Sequence, residues 1–547
     1  MINNKFAETC QKYAPLDCSS LPAYLPQNNS HIEIDELKTY NLLKKVASKS
    51  PGPWDIPPRL LEEFSPELAT PICDIVKACL KKGVFPKMWK KAKVVPIPKS
   101  NPPESLADLR PISLTPAPAK ILEKIIATEL SKQIETKLDT CQFGNTKGSS
   151  ATHYLIKLTD MAYADAEEGK ATTAITIDYS KAFDYIDHNI LIKKLINLGV
   201  SANIVKLLIS FLSNRSHCTK VGNETSSYKE ISCGVPQGTI NGPKLFVIMI
   251  NGDTDDDIIN LKFVDDKTIA LTHSRDPTEA LQERLNAIEK QAKDNAMCIN
   301  AKKCHTITFN FSSANVSPCN LILDNNIIQR EKSIKLLGVI ISDDLKWTQN
   351  TNSIYKKVNS MLYILSKIKS FGATRDDLIK VWTTILRPRA EYASPLWHSG
   401  ITKAESQKLE ELQKSALSII LGIKYVDYKL YYKLDNNLVS YESALDHLKL
   451  ESLEQHREGL TVFFAKKLIK SNVHRKMLPE EKKGTTTRNR LIIPNNSFET
   501  EKEIIELIEP KPGSVRYYNS AIPYMTRIIN RLKMSRPVIT EAQSSIQ

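Results

Sequence analysis

The segment IINLKFVDDKTIALTH, residues 258–273, sets two adjacent carboxylates, Asp265 and Asp266, between two apolar runs. Asp is a poor strand residue, and neighbouring carboxylates repel unless a cation or a shared proton intervenes. Taken alone, the segment has two readings. One is an acidic tip on an exposed hairpin, because Asp is a common turn residue. The other is a pair of metal ligands. In both, IINLKFV and TIALTH bracket the acids as the arms of a hairpin, and the rest of the chain has to choose.

A third acid bears on the choice. TTAITIDYS, residues 172–180, is β-branched and strand-like. IDHNILIKKLINLG, residues 186–199, reads as a helix with Asp187 as N-cap and Gly199 just past its last apolar turn. Asp178 therefore falls at the C-terminal end of a strand, before a turn and a helix. If this strand neighbours the hairpin in one sheet, three carboxylates converge on one edge. Without cations that is expensive. With two Mg²⁺ ions it becomes a two-metal phosphoryl-transfer site.

The totals set bounds. At 547 residues the chain is long enough for several domains, and 41% hydrophobic residues suffice for packed cores. Lys and Arg outnumber Asp and Glu by 75 to 61, a net charge of +14, which favours a polyanionic partner, nucleic acid before membrane. No run of 18 apolar residues suggests a transmembrane helix. MINNKFAETCQKYAP at the start lacks the basic and apolar regions of a secretory signal. The ten cysteines are scattered, with no C-x-x-C and two pairs six apart, which is not a zinc spacing. Reduced thiols in an intracellular protein, cytoplasmic or nuclear, are expected.

Along the chain, a Lys-rich helix is expected over about 34–47, then a break at SPGPWDIPPRLLEEF. Val94 to Ile97 reads as a short strand, and DLRPIS as a loop leading into a helix from about Ala119. SCGVPQGTINGPKLFVIMIN is a Gly/Pro-rich loop feeding an apolar helix. Beyond 345 the pattern is helical: Ile354, Val358, Met361, Leu362, Leu365 and Ile368 share one face, with Lys356, Lys357, Lys367 and Lys369 on or near the other, a face expected to track a nucleic-acid duplex. A later helix opens with a capping box, Thr402 and Glu405, and ends at Gly422, with an apolar stripe of Leu409, Leu412, Ala416, Ile419 and Ile420. The tail after Ser471 is polar, with EEKKGTTTRNR as a loop.

Seven ordered motifs, VFPKMWKKAKVVPIPK, LRPISLTPAPAKILEKII, AITIDYSKAFDYIDH, GVPQGTINGPKLFVIMIN, FVDD, INAKKCHTITF and IKLLGVIISDDLKW, together resemble the reverse transcriptases of non-LTR (LINE-type, jockey-like) retrotransposons. RPRAEYASPLWHSG resembles the region that follows the polymerase core in several such elements. The similarity covers roughly 35–425. Each motif alone is weak; their conjunction in order is specific.

The resemblance implies an α+β right-hand polymerase fold. Its parts would be an N-terminal extension (1–50), fingers (51–169), palm with the catalytic carboxylates (170–345) and helical thumb (346–425). A C-terminal extension (426–547) of unknown role follows. It implies RNA-directed DNA synthesis from RNA template, DNA primer and dNTPs, with two Mg²⁺, or Mn²⁺ in their place. Asp178 and Asp265 would be the metal ligands, Asp266 a further catalytic carboxylate that joins the metals directly or from the outer shell, and Tyr179 would offer only its backbone carbonyl. Arg110 and Lys93 would contact the triphosphate, Phe183 would gate the ribose 2′-OH, and Gln237 and Gly238 would pack on template and nucleotide. Lys303 stands where the family offers a general acid for the leaving pyrophosphate. The chain departs from the family at Val264, where many members have Ala, and at Asn145 and Thr146, which replace an aromatic and an Arg after QFG. No endonuclease domain is expected ahead of the polymerase motifs, and no zinc knuckle after them. The alternatives are an inactive nucleic-acid-binding relic and a maturase-like RNA-binding protein.

Overall fold

The computed structural model describes residues 1–17, 30–45, 51–53, 56–99, 102–252, 258–311, 320–422, 431–434, 437–482, 488–489, 502–533 and 535–537. The chain opens with a short helix α1 (Ile2–Ala7), then α2 (Glu36–Leu43), α3 (Pro58–Glu63) and α4 (Ser65–Lys82). The expected N-terminal helix starts at Glu36, because the Asp35 side chain accepts from the Lys38 amide and caps it; residues 46–50 lie outside the described set. Helix α4 stops at Gly83, which holds φ +66.

Strand β1 (Lys91–Pro98) pairs antiparallel with β2 (Leu109–Leu114), Ile97 opposite Arg110. LRPIS is therefore a strand rather than a loop. Its neighbour β1 supplies a full ladder of partners, a tertiary cause that the local Pro-rich sequence hides. Helix α5 (Ala117–Ile134) starts two residues before the expected Ala119, with Pro116 as N-cap residue and Pro118 in the first turn, where a missing N–H costs nothing. Helix α6 (Ala151–Glu167) leads into strand β3 (Ala171–Ile177), then α7 (His188–Asn197) and α8 (Ala202–Leu212). Asp187 caps α7 as expected, accepting from the amides of Asn189 and Ile190. Strands β4 (Arg215–Val221), β5 (Glu224–Thr225) and β6 (Lys229–Ile231) complete the sheet begun by β1 and β2, and α9 (Asn241–Met249) follows.

The hairpin of the opening segment is β7 (Ile259–Phe263) and β8 (Asp266–His273); α10 (Thr278–Asp294) and β9 (His305–Phe309) come next. Short strands β10 (Ile322–Leu323), β11 (Asn326–Ile327) and β12 (Gln329–Arg330) precede a second hairpin, β13 (Ser333–Leu336) and β14 (Val339–Ser342). The central sheet runs β12-β9-β3-β8-β7. Strand β3 is antiparallel to both its neighbours and buried on both faces. Ala174 packs in the core that includes Tyr154 and Leu158 of α6. Ile175 and Ile177 pack with Leu281, Leu285 and Ile288 of α10. Those three apolar residues repeat at helical spacing, a signal for α10 that was present in the sequence.

The rest is mainly helical: α11 (Thr348–Ser370), α12 (Arg375–Val381), α13 (Arg387–Ala390), α14 (Ser394–Trp397), α15 (Lys403–Leu421), α16 (Tyr441–Leu448), α17 (Leu453–Lys470), α18 (Val515–Tyr518) and α19 (Ala521–Arg531), with a two-stranded sheet (Tyr431–Leu434, Asn437–Ser440) and a small three-stranded one (Arg488–Asn489, Lys502–Ile504, Ser535–Pro537) among the helices. On α11, Val358, Leu362 and Leu365 are buried and Ile354, Met361 and Ile368 pack at the margin. The Thr402–Glu405 capping box and the Gly422 stop of α15 are present, with Leu417 buried beside the expected stripe and Ile419 at its margin. The tail is less polar in effect than its composition suggests. Ile505, Leu507, Met525, Ile528 and Ile529 are buried in the same core as α6 and α11. Of EEKKGTTTRNR, residues 483–487 and 490 lie outside the described set.

Candidate active site

Three carboxylates meet at one end of the central sheet. Strands β3 and β8 run in register with Ile177 opposite Lys267, so Asp178 and Asp266 are the next residues out on neighbouring strands. Phe263 pairs with Asp266 across the other edge, leaving Val264 and Asp265 as a two-residue hairpin loop. Val264 sits at φ +59, a conformation unfavourable for a β-branched residue. The loop is held from beneath. Gln142 Oε1 accepts from the Gly144 amide at 2.9 Å and the Val264 amide at 3.3 Å. A Cβ on Gly144 would fall 2.4 Å from the Val264 nitrogen, so only glycine admits this approach. The departure at Val264 is thus accommodated by Gly144 in the QFG motif.

The acids feel one another. Burial, then the charges of Asp265 and Asp178, push the Asp266 carboxyl up to about 6. Burial also raises Asp178; the Lys303 ammonium opposes it most, Asp265 adds to it, and the Asn300 side chain donates to it. Asp265 is raised by desolvation and held back by its own backbone amide and by Arg110. The carboxylates of Asp265 and Asp266 stay open to solvent although the surrounding chain desolvates them. The main chain after β3 is pinned as well. The Asn300 amide donates to the Asp178 carbonyl and the Ser180 amide to the Cys298 carbonyl, both at 2.8 Å, so Tyr179 is fixed between them.

A metal fits these groups. The donors are hard oxygens, and the neighbouring negative charge that adds to burial in lifting Asp266 is what a divalent cation would relieve. Among the described residues, no three His, Cys, Asp or Glu side chains close into a ready-made cage.

The other expected residues divide by distance from the acids. Arg110, exposed on β2, acts on Asp265, and Lys303, exposed after a short 3₁₀ turn, acts on Asp178. Lys93 pairs within the first sheet with Leu114 and Cys218. The β1-side lysine whose charge reaches Asp178 and Asp184 is Lys99. Gln237 donates to Asp184 Oδ1 at 3.2 Å, and its carbonyl accepts from the Ser113 amide at 2.7 Å. Gly238 adopts φ +105, and a Cβ there would fall 2.8 Å from the Ser113 carbonyl oxygen. Phe183 is half-buried, its ring stacked on Phe246 of α9 at 5.0 Å between centroids. Asp178, Asp266, Lys303, His305 and Lys335 line a cavity of about 380 Å³ walled by β13.

Residues overlooked in the sequence are Gln142, Asn300 and Lys99; Asp184, which the sequence reads as structural, holds the Gln237 side chain. Gln142 and Asn300 lie inside quoted motifs, QFG and INAKK, and both serve the site from the second layer of contact. Their signal was position in a motif, with no chemistry of their own to mark them.

A model of the family described as reverse transcriptase (RNA-dependent DNA polymerase) matches residues 97–341. The RNA-directed DNA polymerase from mobile element jockey of Drosophila melanogaster is 27% identical over 416 residues, 72% of this chain and 44% of that protein. The probable RNA-directed DNA polymerase from transposon BS, also of Drosophila melanogaster, is 25% identical over 81% of this chain and 50% of its own length. The chain thus spans about half the length of the curated relatives it matches. A telomerase from Candida albicans, solved with a fragment of telomeric RNA, aligns over 64% of this chain and 66% of its own at 13% identity and a TM-score of 0.35. Among the described residues no helix is long and apolar enough to cross a membrane.

Proposed function

We propose, from the premise that this chain carries a reverse transcriptase domain of the LINE type, that it is an RNA-directed DNA polymerase. The primer 3′-oxygen would form a bond to the α-phosphorus of a dNTP while the bond to pyrophosphate breaks and the hydroxyl proton leaves. The observation that carries this reading is the convergence of Asp178, Asp265 and Asp266 on one sheet end, with Asp266 lifted to about 6 by burial and then by its two neighbours' charges. Divalent cations, two Mg²⁺ or Mn²⁺ in their place, would supply Lewis acidity and neutralise phosphate charge there.

The chain's own residues position and balance charge. Asp178 and Asp265, with the Tyr179 carbonyl, are the ligands. Arg110, close enough to act on Asp265, suits a bidentate grip on the triphosphate; Lys93 is a more distant phosphate contact. Gln237 and Gly238 ride a loop locked to β2, which presents bare backbone to template and nucleotide. Lys303, beside Asp178, is placed to give a proton to the departing pyrophosphate. The hand maps onto fingers at 51–169, palm at 170–345 and thumb at 346–425. Residues 426–547 extend it, and their described part packs back on α6. The decisive assay is extension of a DNA primer on an RNA template by the purified chain with Mg²⁺; no extension overturns the reading.

Phe183 follows the metal acid by five residues, and its ring would be the gate that excludes a 2′-OH. Phe183→Ala should raise rNTP use relative to dNTP by roughly 10–200-fold, or about 1–3 kcal/mol. Because the ring stacks on Phe246, the variant should also melt earlier. A lower melting temperature with an unaltered rNTP/dNTP ratio leaves Phe183 as packing alone.

The lysine face of α11 needs one revision. Lys356, Lys357 and Lys367 are exposed, but the Lys369 ammonium donates to the Ile419 carbonyl and closes the end of α15. Three lysines, not four, are available to a duplex backbone. Replacing those three by Ala should weaken template-primer binding on all sequences alike and flatten the slope of log K against log salt by up to about 3. An unchanged slope would reduce this face to solvated charge.

A further inference from the structure

We propose that Glu123 is a positioning residue for the nucleotide side of this site, holding the loop that carries Gln237 and Gly238 from behind; the role rests on the polymerase reading above. Glu123 lies on α5 and is fully buried, 0% exposed, between the apolar residues Leu122, Ile125 and Ile126. Its carboxylate accepts from the amide of Ile240 at 2.7 Å and that of Asn241 at 3.4 Å. These are amides of the first turn of α9, whose own N-cap residue, Ile240, offers no side-chain acceptor. An acid from a helix 117 residues earlier therefore does the work of a cap.

The place of that cap gives it a role beyond packing. The loop before α9 is tied early on, where the Gly234 and Val235 amides donate to the Ile186 and Phe183 carbonyls, and its last stretch, residues 237–241, has three further anchors. Its main chain is tied to β2, where the Ser113 amide donates to the Gln237 carbonyl. The Gln237 side chain is tied to Asp184. Glu123 holds the far end, two residues beyond Gly238. Without that third anchor the loop could pivot about β2, and Gln237 and Gly238 would move together. A buried carboxylate is a costly way to fill a helix face that Leu would fill more cheaply. The neighbourhood is arranged for it: Arg215, also buried, acts on Glu123 through its charge. Glu123 Oε1 and Arg215 Nη2 both lack a hydrogen-bond partner among the described residues.

The test compares the wild-type chain with Glu123→Ala and Glu123→Gln. The readouts are dNTP KM, kcat, template-primer affinity and amide exchange at residues 237–241. If the clamp serves the nucleotide, Glu123→Ala should raise the dNTP KM about 10-fold or more, because small misplacements of a binding group are expensive. Glu123→Gln keeps an acceptor oxygen and should raise it only about 3-fold. In both, kcat and template-primer affinity should hold within about 2-fold, and exchange at 237–241 should quicken while 174–177 and 268–271 stay protected. An unchanged KM in Glu123→Ala, a parallel loss of kcat and template-primer affinity, or a Gln variant as impaired as the Ala variant would each overturn the role. If Glu123→Ala does not fold, Glu123→Gln decides alone, and unchanged KM with unchanged exchange at 240–241 refutes it. A wild-type chain that extends no primer sinks the polymerase reading instead, and the exchange arm still decides the clamp.

Discussion

Asp178→Asn and Asp265→Asn should each lower primer extension by about 10³-fold or more, a loss of about 4 kcal/mol of transition-state stabilisation. Asn keeps the shape of Asp and removes the charge. Asp178 is the last residue of β3's line and Asp265 the second of the hairpin loop, so neither change disturbs a strand ladder. The fold around them should persist, and template-primer binding, which rests on basic surface, should stay nearly intact. Removing either charge also relieves Asp266, whose carboxyl is raised in part by both neighbours. The checks are single-nucleotide extension rates at saturating dNTP and template-primer affinity on the same preparations. Extension at the wild-type rate by either variant sinks the assignment of that residue. Loss of binding in step with loss of rate would make the effect one of folding.

Lys262→Met should cost about 3–5 kcal/mol of stability, because it leaves Asp139 buried without its counter-ion. Lys262 and Asp139 form an ion pair with side chains only 2% and 8% exposed. The Lys262 ammonium also donates to the Ile250 carbonyl at 3.1 Å. Strand β7 ends one residue later, at the hairpin loop that carries Asp265. Lys262 therefore ties the segment before Gln142 and the residue that follows α9 to the base of the hairpin. Thermal unfolding at neutral pH measures the loss. Asp139→Asn on the Lys262→Met background should recover part of it, since the orphaned charge is then gone. A single variant that melts with the wild type would show the pair to be solvated enough to contribute nothing.

The three acids were legible because each stood where local pattern and chemistry disagreed. Asp178 ended a β-branched run, and Asp265 and Asp266 interrupted an apolar hairpin. Helix ends were legible for a related reason: Asp187, Thr402 and Gly422 act through their own backbone neighbours, so local sequence suffices. What escaped was tertiary in origin. LRPIS is a strand because β1 lies beside it. Gln142 and Glu123 act on amides 122 and 117 residues away. Lys369 looked like its neighbouring lysines until Ile419 took its ammonium. The C-terminal tail read as polar because its buried residues are few per segment, though they join one core.

The central strand has a consequence for synthesis. Strand β3 receives its hydrogen-bonded neighbours only from residues 266–273 and 305–309, roughly ninety to a hundred and thirty residues downstream. A nascent chain emerging from the ribosome has Asp178 in hand long before the strands that hold it. The main-chain pins on either side of Tyr179 come from residues 298–300, later than both hairpin acids. The half in which α5, α7, α8 and α9 share a core has most of its parts earlier. Order therefore arrives in a fixed sequence, with the chemistry last. A chain interrupted before β9 carries every proposed metal ligand and lacks the edge that sets them in place.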